Sequence, residues 1–239
     1  VSDWSSDVCS SDLGVEPFVA ARSFVPGIGS LAGSYNLFTR RVAADGTATT
    51  LPGTAFVSGN TLSICEREQA PVTSVRLCPD AGRVDYVNLT ANGNVIAGTS
   101  AAGETFSFSV ATSGAAKILL SAGTAPDLRQ RFRIGLVDSS GGVTFGPAQQ
   151  GPSSTGDWTT MTLVDGFPVQ WTSTGSLGSD SAQLVSVTNS GSAPFSMLTG
   201  TSTATNGSIF LMQAYPLIVV IGGSPFFSSA SGLLQLALP

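Results

Sequence analysis

Arg129, Arg131 and Arg133 form a like-charge constellation at alternate positions. In an extended segment a two-residue period puts all three guanidiniums on one face and Phe132 and Ile134 on the other. Such a stripe could clamp a carboxylate or phosphate through paired N–H donors. The competing reading is the solvated face of an edge strand, where charge blocks unwanted pairing. Arg40 and Arg41 pose the same choice on a smaller scale.

Other chemistry is limited by what the sequence lacks. It contains no histidine, so no Ser-His-Asp or Cys-His relay and no His-ligated metal site can be built. The nucleophile elbow Gly-x-Ser-x-Gly is missing, and Lys117 stands without the glycine-rich approach of a phosphate loop. No cofactor and no metal are expected. Carboxylate pairs could still serve a glycosidase; the candidates are Glu16, Glu66, Glu68, Glu104, Asp80, Asp85, Asp138, Asp157 and Asp165. Several sit beside glycine, where Asp stabilises turns through its own side chain, and Glu66 and Glu68 flank Arg67 in a polar, solvated setting. Trp158 and Trp171 are large apolar anchors that could line a polysaccharide groove. Aromatic and basic residues do not interleave, so nucleic acid is not an expected partner.

Residues 3–13, Asp3-Trp4-Ser5-Ser6-Asp7-Val8-Cys9-Ser10-Ser11-Asp12-Leu13, match without a gap the translation of a sequencing adapter. Residues 1–13 are therefore expected to pack against nothing, and the natural N-terminus, with any export signal, to be missing. Without these residues twelve acidic side chains face ten basic ones, and the formal net charge moves from −5 to −2. Cys65 and Cys78 remain, ending the short runs 61–65 and 74–78 on either side of a polar loop. Strand-like flanks could bring them within disulfide reach; two buried free thiols are the alternative. A disulfide would imply an oxidising compartment. Lys117 is the only lysine beside nine arginines, which suggests a GC-rich, bacterial coding genome.

The elements that must position these residues read as strands. Of the 239 residues, 10% are charged and 28 are glycine, a mix suited to short strands and tight turns. Turn signals recur about every ten residues through the first half, the rhythm of a β-meander. Strands are expected at 34–43, 47–58, 84–90, 94–99 and 104–112, the last placing Phe106, Phe108 and Val110 inward by strict alternation. A hairpin is expected from 131–138 and 143–146, a second from 158–164 and 167–174, and further strands at 183–188, 208–213, 217–221 and 233–238. The run 209–221 is apolar on both alternating faces, so it predicts a central strand pair covered on both sides and broken at Pro216. Helix content should be low, with 125–130 the best helical turn.

Leu31-Ala32-Gly33-Ser34-Tyr35-Asn36-Leu37, after the apolar approach 24–28, resembles the Gly-x-Trp/Tyr opening strand of the calycin barrels, the lipocalin and avidin relatives. Tyr35 stands where their Trp stands. The resemblance spans one strand, implies an antiparallel barrel or meander over 30–120, and brings no ligand residues.

The fold class is thus all-β, an antiparallel meander, barrel or sandwich in two β-rich units. Residues 14–29 form a linker, 30–122 a barrel-like unit with the disulfide, and 128–239 a second, sandwich-like unit; cutting at 121–127 should release two fragments. The composition fits an exported, extracytoplasmic bacterial protein (periplasmic, cell-surface or secreted) with a non-catalytic role in binding, adhesion or envelope structure. Its partner could be an envelope component, a glycan or a small apolar ligand. The alternatives are a carbohydrate-active enzyme or carbohydrate-binding module using carboxylates with Trp158 and Trp171, and an outer-membrane β-barrel fragment.

Overall fold

The computed structural model describes residues 21, 23–25, 27–66, 78, 83–113, 116–124, 130–137, 145–154, 156–186, 197–204, 206–214, 217–222 and 233–237. The segment 1–13 and Arg129 lie outside them. Among the described residues the one helical element is a 3-10 turn, Ile28–Ser30. The remainder is an all-β fold of two eight-stranded antiparallel sheets.

The first sheet is a closed up-and-down barrel. Its strands are β1 (Gly33–Val42), β2 (Ala48–Ser58), β3 (Thr61–Glu66), β4 (Arg83–Asn92), β5 (Val95–Ser100), β6 (Thr105–Ser113), β7 (Ala116–Thr124) and β8 (Gln130–Val137). Closure comes from β8, which pairs with β7 on one side and β1 on the other. The first sheet therefore ends at Val137, and residues 121–124 of the expected boundary belong to β7, inside that sheet; 125–127 lie outside the described residues. The expected 131–138/143–146 hairpin is replaced by this pairing, and Gln130 starts a strand. The physical reason is closure: eight strands complete a barrel whose interior side chains can fill, and seven would leave one edge of β1 and one edge of β7 open.

Tyr35, Leu37, Leu62, Ile64, Tyr86, Phe106, Phe108, Val110 and Leu119 fill the barrel interior, as the alternation at 106–110 predicts. The Tyr35 hydroxyl donates to the Leu31 carbonyl at 2.7 Å, tying the opening strand to the 3-10 turn beneath it. Residues 23–25 are not a linker. Phe24 bridges Ala111, and Val25 donates its N–H to the Val110 carbonyl at 2.7 Å and is buried in the core.

The second sheet comprises β9 (Gln149–Pro152), β10 (Trp158–Val164), β11 (Val169–Gly175), β12 (Gly178–Ser186), β13 (Met197–Ser202), β14 (Ser208–Ala214), β15 (Leu217–Gly222) and β16 (Leu233–Ala237), each paired with the next. It curls until its ends meet: Ser153 bridges Gln235, and Ser154 donates its N–H to the Leu234 carbonyl at 2.8 Å. Trp171, Leu163, Leu184, Leu211, Ile218 and Val220 fill its concave side.

β14 and β15 pair antiparallel, as the apolar run predicts, and every residue of β15 is buried. Both faces are covered because the convex side of β14–β16 packs on the barrel. Met212, Leu217, Val219, Ile221, Leu234 and Leu236 meet Phe38, Ala111, Ile118, Ile134 and Leu136 in one apolar cluster. This contact also explains why β7 lacks an alternating pattern. Ile118 faces the second sheet and Leu119 the barrel interior, so consecutive residues are apolar.

Candidate functional site

The arginine stripe lies inside the barrel. β8 alternates Phe132, Ile134 and Leu136 toward the second sheet, leaving Arg131 and Arg133 facing inward. β8 is no edge strand, so the solvated-edge reading fails. The anion that Arg133 clamps belongs to the chain itself. Arg133 Nε donates to Glu66 Oε1 at 2.6 Å, Arg41 Nη2 to Glu66 Oε2 at 2.5 Å, and the Thr39 hydroxyl to Glu66 Oε1 at 2.5 Å. Arg131 stands 3.7 Å from Glu104, and the Arg133 guanidinium lies 5.0 Å from the Phe106 ring centre. Glu66 is not in a solvated loop. β3 runs one residue past Cys65, and alternation from Leu62 and Ile64 points position 66 into the barrel. Gly53 lies opposite Glu66 in β2; a Cβ there would overlap the Cys65 carbonyl, so the close approach of β3 needs glycine.

Burial pushes the Glu66 carboxyl up, but Arg133, Arg41 and Thr39 outweigh it and bring it from its ordinary 4.5 down to about 2. A carboxylate held so firmly ionised, by residues of both β1 and β8, is a poor general acid and a good strut. On the opposite face of β3, Cys65 is fully buried and bonded to Cys78, with Cα atoms 6.0 Å apart. The residues between them include a closed loop of the length for which a disulfide contributes about 3 kcal/mol. Reduction should lower stability by that amount in urea titrations, with a mass gain of about 2 Da; two freely alkylated thiols in the native protein would contradict the bond.

The two tryptophans do not share a groove. Leu163 pairs with Trp171, which puts Trp171 on the concave side at 1% exposure, while Trp158 stands on the convex side at 50%. The residues that share the convex face with Trp158 are neutral. Across β10–β13 run the rows Thr160–Thr174–Ser179 and Thr162–Thr172–Ser181, then Gln170–Gln183–Thr201. The Thr162 and Thr172 hydroxyls bond each other, and Ser181 bonds Thr203 at 2.8 Å. Neighbouring strands lie about 4.8 Å apart along a row, and successive rows are about 7 Å apart. No Asp, Glu, Lys or Arg occupies these face positions.

The sequence holds a signal for this face in the alternating hydroxyls of 160–162 and 172–174. Trp158 and Trp171 do not mark it together, because hairpin register gives them opposite orientations.

Asp165 lies exposed between β10 and β11, and other described carboxylates are engaged locally. Asp85 pairs with Arg83 at 3.0 Å, and Asp180 accepts the Ser202 hydroxyl at 2.7 Å. Asp157 accepts the Trp158 N–H at 2.9 Å, the Ser176 hydroxyl at 2.8 Å and the Leu177 N–H at 3.1 Å. Glu16, Glu68, Asp80 and Asp138 lie outside the described residues. Among the described residues no group of three Asp, Glu or Cys could hold a metal ion, and no helix is long and apolar enough to cross a membrane.

Fold and face together define a two-sheet antiparallel β-protein with a closed barrel and one uncharged, hydroxyl-bearing outer surface. No family model, curated protein or solved structure matches the chain.

Proposed function

We propose that this is an exported, non-catalytic binding protein whose β10–β13 face engages an uncharged, hydroxyl-rich partner, a glycan. The observation that carries the reading is the contrast within one sheet. The convex side is apolar where the barrel covers it, at β14–β16; where solvent reaches it, at β10–β13, it is uncharged and mostly hydroxyl- and amide-bearing, with Val164 and Val185 exposed among those groups. Hydroxyl and amide groups there can exchange water for sugar hydroxyls without the cost of desolvating a charge. The half-exposed Trp158 adds a rigid aromatic surface with little entropy to lose.

The Cys65–Cys78 disulfide supports an extracytoplasmic location. The engaged carboxylates favour binding over hydrolysis. The barrel interior and the concave side of the second sheet are filled largely by apolar side chains, whereas an outer-membrane barrel has a polar interior.

The test is calorimetry against xylo-, cello- and chito-hexaose. Wild type should bind at least one, and Trp158→Ala should weaken that binding about tenfold or more, the scale of a buried aromatic anchor. Trp171→Phe should leave it within about threefold, since Trp171 faces the other side. Wild-type protein that binds none of the three would overturn the reading.

A further inference from the structure

The one half-exposed tryptophan on the hydroxyl face begins β10 directly after a turn, a place where side-chain direction depends on how the backbone is held. Asp157 holds it. Its carboxylate accepts hydrogen bonds from the Trp158 N–H, from the Ser176 hydroxyl and from the Leu177 N–H. The last two belong to the turn between β11 and β12, so one side chain staples the β9–β10 turn to a neighbouring hairpin. Space is reserved for it: a Cβ on Gly175 would overlap Asp157 Oδ2. Leu177, whose N–H is held by the same carboxylate, is 69% exposed, a second apolar group carried on tied backbone. A large apolar side chain in water is ordinarily free to move, and ordering it on binding costs free energy. Here the backbone that carries each one is tied in advance.

We propose that Asp157 is the positioning residue of the glycan site: it pre-orders Trp158 and Leu177 as one apolar shelf at the end of the Thr160–Thr174 hydroxyl row. This rests on the reading of β10–β13 as a glycan face. The shelf would take the CH face of a terminal sugar ring, while the hydroxyl rows take the ring substituents of the units that follow.

Two measurements test this separately from the glycan reading. In protein labelled with 5-fluorotryptophan, the Trp158 resonance, assigned by Trp158→Phe, should shift toward its unfolded position and sharpen in Asp157→Ala. Asp157→Asn keeps an oxygen acceptor and should largely restore it, and Gly175→Ala, which displaces the carboxylate, should reproduce the alanine result. Circular dichroism and the remaining tryptophan resonances should stay as in wild type. Binding of the hexaose that wild type takes should weaken about tenfold in Asp157→Ala and about threefold or less in Asp157→Asn. An unchanged Trp158 resonance in Asp157→Ala overturns the positioning role whatever the ligand. A shifted resonance with no wild-type binding to any hexaose upholds the role of Asp157 in ordering the shelf and overturns its assignment to glycan.

Discussion

Glu66→Gln should destabilise the barrel by about 3–5 kcal/mol, the range for removing one partner of a buried ion pair. The substitution preserves shape, so the loss is electrostatic. It leaves the Arg133 and Arg41 guanidiniums, 2.6 Å and 2.5 Å from carboxylate oxygens in wild type, without the carboxylate that meets them both. Acid should produce the same loss gradually. A folded carboxyl near 2, against 4.5 ordinarily, stabilises fully above about pH 4.5 and loses that contribution, on the order of 3 kcal/mol, as pH falls toward 2. Urea titrations at pH 7, 4 and 2.5 should show wild type and Glu66→Gln converging in the acid samples. Parallel pH dependence in the two proteins would mean that Glu66 is not the group being titrated.

Val219→Asp should cost more than about 4 kcal/mol, because it buries a charge without a partner. Val219 is fully buried in the cluster shared by the two sheets, so the damage lies at their contact. Scanning calorimetry of wild type should show a single transition, since each sheet covers apolar surface of the other. In Val219→Asp the second sheet should melt first, leaving a separate barrel transition at higher temperature. Two independent transitions in wild type would show that the shared cluster contributes little to either sheet.

Much of the barrel is legible in the chain because its strands alternate. Phe106, Phe108 and Val110 announce their direction, and the run 209–221 announces a strand pair covered on both faces. What hides is what depends on partners far along the sequence. β7 carries Ile118 and Leu119 in succession because each has a different apolar neighbour, and local pattern cannot distinguish that from a loop or a helix turn. Arg131 and Arg133 present the period of a charged face, yet that face is interior because Glu66, 67 positions earlier than Arg133, supplies the countercharge. The disulfide was readable from its flanks. The hydroxyl face was readable only in fragments, at 160–162 and 172–174, since the whole emerges only when register sets β10, β11, β12 and β13 side by side.

The curling of the second sheet bears on how a chain with so little charge stays apart from its own copies. Only 10% of its residues are charged, leaving little electrostatic repulsion to keep molecules separate. Open sheet edges would then invite strand-by-strand growth between molecules. The barrel has no edge, and β9 and β16 turn their free sides toward each other at Ser153 and Gln235. Backbone geometry thus supplies the colloidal protection that surface charge provides in most proteins.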